Sequence, residues 1–433
     1  MPNEKLARWV YSAAEARRPD AERLLGELVR IPSVTGNEGA VQRRIEREML
    51  VRNLTVDRWE ATPEEIAPYI EHVGEQARHK DRPNLLGVRA GVGGGRSILL
   101  NAHIDTVEAG DAATWSRDPF SGAASGGFVH GRGSCDMKGG LAAFLIALDV
   151  LDDLGVRLAG DVFLNSVVGE EDGGLGALST VLRGYRADAV LISEPTRLAL
   201  VAAQGGSVMF RLTVPGRSTH AAVRSEGVSA FEAFLPLYDA LLGLEEERNA
   251  TLVHPLYNHL ADKVPINVGV VRTGNWASTV PESLTAEVRA GLLPGERPDD
   301  FKRALEERLR SVCETDGWLS ENPPEMEYFG GQFAPSEVSP TADISTAVLR
   351  AHRAITGEEA PVEGVAYGSD MRHFVNIGGM PCVMYGAGDL ADAHAPDEKI
   401  RAEDLLTAVK TCALLLADWC GPPRPAEKSQ RTP

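Results

Sequence analysis

Cysteine is scarce in this chain of 433 residues, and no two of its five cysteines form a Cys-x-x-Cys pair. Cys135, Cys313, Cys382, Cys412 and Cys420 are odd in number and widely spaced. That argues against a disulfide framework and a thiolate zinc site, and for a reducing compartment. Long hydrophobic runs are missing too. The greasiest helical stretch, LAAFLIALDVL at 141–151, falls short of the roughly 20 apolar residues that a bilayer crossing needs. The N-terminal MPNEKLARWVYSAAEARRPD lacks an apolar signal core. The expected location is the cytoplasm. Positive charge is also in deficit: 44 Lys and Arg face 62 Asp and Glu, a net charge of −18. So acidic a surface repels phosphate backbones, so neither nucleic acid nor a membrane is an expected partner.

What remains is an ordinary globular composition, 43% hydrophobic and 24% charged. A single core stops growing at roughly 250–300 residues, so two domains are expected. In the first half, helical spacing at 20–30, 38–54, 139–155 and 173–184 alternates with strand-like runs at 84–91, 97–105, 161–168 and 189–193. That alternation predicts an α/β domain, its sheet mostly parallel with helices on both faces. The polar stretch 61–82 reads as an inserted surface segment whose charges are solvated. Near residue 205 the pattern changes. GSVMFRLTVPG (206–216) alternates apolar and polar, a helix is expected at 226–247, strands at 265–274 and 283–293, and a charged helix closes the set. ENPPEMEYFGG (321–331) reads as the return to the first domain, which ends with helix 341–356, strand 381–386 and helix 402–419. The expected division is 1–204 plus 324–433 for one domain and 205–323 for an inserted α+β domain. The tail GPPRPAEKSQRTP is expected to be disordered.

The chemistry collects after strands. NAHID follows SILL, GEED follows NSVV, SEP follows AVLI, and GDLADAHAPDE follows PCVMYG, while GRGSCDMKGG opens the helix at 139. In open parallel sheets ligands bind beyond the carboxyl ends of the strands, so clusters distant in sequence can converge. The residue types are His, Asp and Glu without thiolates, which suits Zn, Mn or Co in a hydrolytic role. Charge supports a set of five ligands for two ions. The carboxylates of Asp136, Glu171 and Glu194, with one bridging hydroxide, balance two divalent cations; neutral His103 and His394 fill one place on each. Each residue alone has a plain explanation, such as a solvated Glu pair or a helix-start charge. One site accounts for all of them together.

The chain resembles the dinuclear zinc amidohydrolases that include acetylornithine deacetylase, succinyl-diaminopimelate desuccinylase, aminoacylase and carboxypeptidase G. The resemblance runs from about residue 20 to 420 and rests on NAHIDTV, GRGSCDMKGG, VVGEEDGGLGA, ISEPT, GRSTHAA and HAPDE in the family's order. It implies that His103 and Glu194 bind one metal, that Glu171 and His394 bind the other, and that Asp136 bridges them. It implies Glu170 as general base, taking a proton from the water between the metals and passing it to the leaving amine. Adjacent residues do not readily coordinate one metal, so one member of the Glu pair is left free. Asp105 fits a role orienting His103. A cis peptide between Asp136 and Met137 is implied as well. The inserted domain is similar to the family's lid and dimerisation domain, which implies a homodimer. There His220 matches the histidine that stabilises the oxyanion, commonly in the partner's site. Asn267 and Arg289 match positions that bind the substrate's carboxylate.

Two features depart from the family pattern. Cys135 stands where Thr or Ala is common, and it is expected to be inert packing. YGSDMRHF (367–374) replaces a Gly-Thr-Asp or Thr-Ser-Asp segment, keeping Ser369 and Asp370, so this loop is expected to contact substrate. The expected activity is removal of an acyl group from a small N-acylated amino acid or amine, with two zinc ions as cofactors and cobalt or manganese as alternatives. A metallo-exopeptidase (dipeptidase or carboxypeptidase G-like) and a deformylase of an N-formylated pyrimidine amine are the nearest alternatives. A non-catalytic binding relative should have lost Glu170 or a ligand, and this chain has lost none.

Overall fold

The computed structural model describes residues 4–72 and 80–421. Its centre is a nine-stranded sheet. The strands run in the order Thr55–Trp59, Asn84–Arg89, Val162–Val167, Ile98–His103, Val190–Ile192, Cys382–Met384, Leu200–Gln204 and Ser336–Glu337, with Val362–Val365 also pairing to Leu200–Gln204. Ile98–His103 lies parallel to both neighbours, and Val190–Ile192 is parallel to Cys382–Met384. The parallel pairs thus form the middle, and the pairings of Thr55–Trp59 and Ser336–Glu337 at the edges are antiparallel. Every residue of Ile98–His103 is buried, which requires cover on both faces. The helix Gly139–Asp153 is apolar almost all round and lies in the core against Ala402–Trp419, which in turn packs on Asp343–Thr356 and Glu4–Ala16.

A second core belongs to a four-stranded antiparallel sheet, ordered Ile266–Thr273, Ser283–Leu292, Gly206–Pro215 and Glu325–Tyr328. Alternation does the sorting. Val208, Phe210, Leu212 and Val214 point into the core shared with helices Ala230–Thr251 and Pro298–Thr315. Arg211, on the other face, pairs with Glu287 and Glu327.

Several elements differ from their sequence expectations. Glu325–Tyr328 is a strand of the small sheet rather than a plain return, because Met326 and Tyr328 alternate with exposed Glu325 and Glu327 on an edge. The helix expected from 226 starts at Ala230, where the Ser229 side chain caps it. The segment 61–82 is not wholly solvated: the Arg82 guanidinium is buried and pairs with buried Glu38 at 2.6 Å. Residues 73–79 of that segment and 422–433 of the tail lie outside the described residues. All five cysteines are free and buried. Among the described residues no helix is long and apolar enough to cross a membrane.

Candidate metal centre

The parallel strands of the large sheet deliver their carboxyl ends to one edge. His103 ends Ile98–His103, Glu170 and Glu171 follow Val162–Val167, and Glu194 follows Val190–Ile192. His394 stands in the loop after Cys382–Met384, in a left-handed conformation with φ 57°. Asp136 lies in the kinked turn before Gly139–Asp153, and its peptide bond to Met137 is cis. His103 Nε2 lies 2.9 Å from Asp136 Oδ1. His394 Nε2 lies 3.0 Å from Glu171 Oε1 and 3.5 Å from Asp136 Oδ2. Asp136 therefore sits between the two histidines. Glu194 is buried within electrostatic range of Asp136 and His103.

Other groups fix these side chains. Asp105 contacts His103 mainly through its backbone: His103 Nδ1 donates to the Asp105 carbonyl at 3.0 Å, whereas the carboxylate lies at 3.6 Å. That bond leaves Nε2 as the atom available to a metal. The Asp105 carboxylate instead accepts the N–H groups of Glu170 and Glu171, each at 3.2 Å, and the Thr35 hydroxyl at 2.9 Å. Asp105 thus ties the His103 strand to the Glu pair. Glu398 does the same for Asp136. Its Oε1 accepts the N–H groups of Cys135 and Asp136, while Arg132 holds Oε2 at 2.6 Å.

The electrostatics show what the cluster lacks by itself. Burial, then the carboxylates of Glu194, Asp370 and Glu171, push the Glu170 carboxyl well up, with His103 pulling the other way. Burial and Asp136 likewise raise Glu194. Asp136 goes down despite its burial, because His103 and His394 hydrogen-bond to it. His394 is pushed up to about 10 by Asp136 and Glu171. Buried carboxylates this close cost several kcal/mol each unless positive charge compensates them. Glu171 pairs with His394, and Arg372 brings a positive charge near Glu170. Ligand atoms of His103, Asp136 and Glu171 lie within 4.8 Å of one another and are all N or O. That donor set fits divalent cations.

The remaining residues singled out from sequence lie elsewhere. His220 is exposed in the small-sheet unit, its Nδ1 accepting the Ala222 N–H at 3.1 Å. Asn267 and Arg289 face each other across adjacent strands of the small sheet. No hydrogen bond or ion pair joins these three to the candidate metal ligands among the described residues. Arg289 is half-buried with no hydrogen bond or ion pair there, and burial pulls its pKa down. Sequence reasoning missed Thr35, Arg132, Glu398 and Tyr367. The phenol of Tyr367 is half-buried, raised first by burial and then by Glu194, Asp136 and Glu170. Glu398 lies in HAPDE, Arg132 in GRGSCDMKGG and Tyr367 in YGSDMRHF, whereas Thr35 lies in none of the quoted motifs.

Residues 99–418 match the family described as Peptidase family M20/M25/M40. The chain is similar to the N-formyl-4-amino-5-aminomethyl-2-methylpyrimidine deformylase of Bacillus subtilis (strain 168), 28% identical over 379 residues, covering 82% of this chain and 88% of the relative. It is also similar to the acetylornithine deacetylase of Pasteurella multocida (strain Pm70), 27% identical over 350 residues, with 79% and 85% covered. Among solved structures, the dipeptidase Dug1p of Saccharomyces cerevisiae aligns with a TM-score of 0.75 at 15% identity, covering 96% of this chain and 99% of that one. That likeness is one of fold.

Proposed function

The chain belongs to peptidase family M20/M25/M40, and from that premise we propose that it removes an acyl group from a small N-acylated amino acid or amine. It is a hydrolase of amide C–N bonds. The observation that carries the reading is the meeting of His103, Asp136, Glu171, Glu194 and His394 at one edge of the large sheet, with Glu170 beside them and outside their hydrogen bonds. In this reading those five residues hold two zinc ions, with cobalt or manganese as alternatives.

Two such cations, when bound, supply Lewis-acid chemistry: they acidify a water and polarise the acyl carbonyl. The protein's own residues do the rest. Glu170 accepts the water's proton on a carboxylate oxygen and returns it to the leaving nitrogen. Its raised proton affinity, moderated by bound cations, suits both transfers. Arg289, half-buried and without a partner among the described residues, supports a contact to a substrate carboxylate, with Asn267 opposite it. His220 acts as oxyanion donor in the partner subunit's site. A second copy is supported by an apolar stripe on Ala230–Thr251, where Phe231, Leu235, Tyr238 and Leu242 are exposed at helical spacing. We place the enzyme in the cytoplasm, in keeping with its five free cysteines.

The test is a panel of N-acetyl and N-succinyl amino acids, dipeptides and N-formyl arylmethylamines offered to the zinc- or cobalt-loaded protein. Turnover of acylated amino acids supports the reading. Preference for dipeptides would replace it with an exopeptidase. Preference for the formyl amines would replace it with a deformylase, the second reading that the Bacillus subtilis relative favours. No turnover with metal shown bound would sink all three. Sedimentation at working concentration tests the dimer; an active monomer refutes the placing of His220 in a partner's site.

A further inference from the structure

Arg372 links two places that the reaction needs to keep in register. The first is the turn that carries Glu170 and Glu171. It closes where the Gly173 N–H donates to the Glu170 carbonyl at 2.9 Å. Arg372 Nη2 donates to the Gly173 carbonyl at 2.6 Å, and His373 Nε2 lies 3.1 Å from the same oxygen. Arg372 Nη1 donates to the Ser369 carbonyl at 2.7 Å, which fixes the plane of the guanidinium.

The second place is the crossing between the two sheets. Ser207 and Phe333 exchange backbone hydrogen bonds, both at 2.8 Å, where the chain leaves the small-sheet unit. The Phe333 ring lies against the Arg372 guanidinium, 4.0 Å from its central carbon. A cavity of about 360 Å³ opens at this junction, with Glu170, Glu171, Met209, Phe333 and Arg372 in its wall. Arg372 itself is buried, and burial disfavours its charge while Glu170 and Asp370 support it.

A side chain that only filled space here would not need a buried charge. A guanidinium supplies three things at once: a fork that fits two carbonyls, a flat face for the Phe333 ring, and a fixed charge near Glu170. Lysine supplies only the charge.

We propose that Arg372 is a positioning residue for Glu170, holding the turn that carries it against Phe333 at the crossing between the two sheets. Movement of the small-sheet unit is then felt at the base. The effect on catalysis rests on the reading of Glu170 as general base; the mechanical link does not.

Two kinds of measurement test this on the full-length, metal-loaded protein. Hydrogen–deuterium exchange over 169–176 reads the link without any substrate. Phe333→Leu removes the ring but leaves the hydrogen bonds of Arg372; it should raise exchange over 169–176, and Arg372→Lys should raise it further. The second measurement is kcat, KM and the pH profile with N-acetyl-L-ornithine and N-formylbenzylamine as probes. Arg372→Lys should lower kcat about 100-fold and Phe333→Leu about 10-fold, with KM within about threefold, metal content unchanged and the acid limb of the profile displaced. Unchanged exchange over 169–176 in Phe333→Leu overturns the link, and that variant decides if Arg372→Lys does not fold. Wild-type kcat and profile in both variants overturn the positioning role. Failure of the wild type on both probes, or full activity of Glu170→Gln, counts against the functional reading instead and leaves the exchange result to judge the link.

Discussion

The two sheets hold their polar side chains in opposite ways. At the carboxyl edge of the large sheet, acidic and imidazole groups, some buried and His394 exposed, are tied to one another: His103 to Asp136, His394 to Glu171, Asp105 to the Glu170 and Glu171 amides. In the small sheet, Arg289 is half-buried with no hydrogen bond or ion pair among the described residues, and His220 is exposed. One set is nearly complete within a single chain and lacks only positive charge. The other presents donors without acceptors. In the proposed reading the chemistry and its selectivity are built separately: the first set would take up cations, and the second would meet an anion and a second subunit.

If the large-sheet set is one electrostatic unit, removing its centre should cost most. Asp136→Ala is expected to lose metal binding and bring activity below detection; full metal content by elemental analysis would break the claim that Asp136 joins the two histidines. Glu170→Ala comes next, with kcat reduced roughly 10³-fold or more and metal content unchanged. Loss of metal in that variant would make Glu170 a ligand instead of a base. Glu398→Gln probes how far the unit extends: weaker support of the Cys135 and Asp136 amides should lower metal affinity about 10–100-fold, read by competition with a chelator.

The small-sheet set should respond differently. Arg289→Met is expected to raise KM for carboxylate-bearing substrates about 10–100-fold while kcat changes little, and to leave metal affinity alone. A matching loss on uncharged amides would show that Arg289 serves the fold, not the anion. The smallest effect concerns the metal-stripped chain. His394 is raised to about 10 by Asp136 and Glu171, so its stabilising contribution is whole below its ordinary pKa of about 6.5 and is lost as pH rises through about 10. Scanning calorimetry of the stripped protein should show a falling melting temperature between pH 7 and 10. A flat profile would remove protonated His394 from the account.

Legibility in the sequence followed periodicity. Gly139–Asp153 and Ala402–Trp419 could be read because apolar residues at helical spacing leave little choice. Gly206–Pro215 could be read because it alternates. Glu325–Tyr328 escaped, since four residues behind a Pro-Pro pair give too short a pattern and its partner strand lies more than a hundred residues earlier. Leu200–Gln204 escaped because a short apolar run has no period of its own. At the site, residue types pointed to His103, Asp136, Glu171, Glu194 and His394. The groups that orient them did not stand out. Thr35 reaches Asp105 across 70 positions, and a lone threonine in a loop carries no mark of that. Arg82 looked solvated, because nothing local announces that its partner is buried Glu38.

Chain order adds a consequence in time. The first proposed ligand, His103, and the last, His394, are separated by the whole small-sheet unit, and Glu398, which steadies Asp136, comes later still. A nascent chain cannot close the cluster until nearly all of it has left the ribosome. Synthesis arrested before residue 394 leaves four of the five proposed ligands without the fifth, so completion of the set is deferred until translation is almost finished.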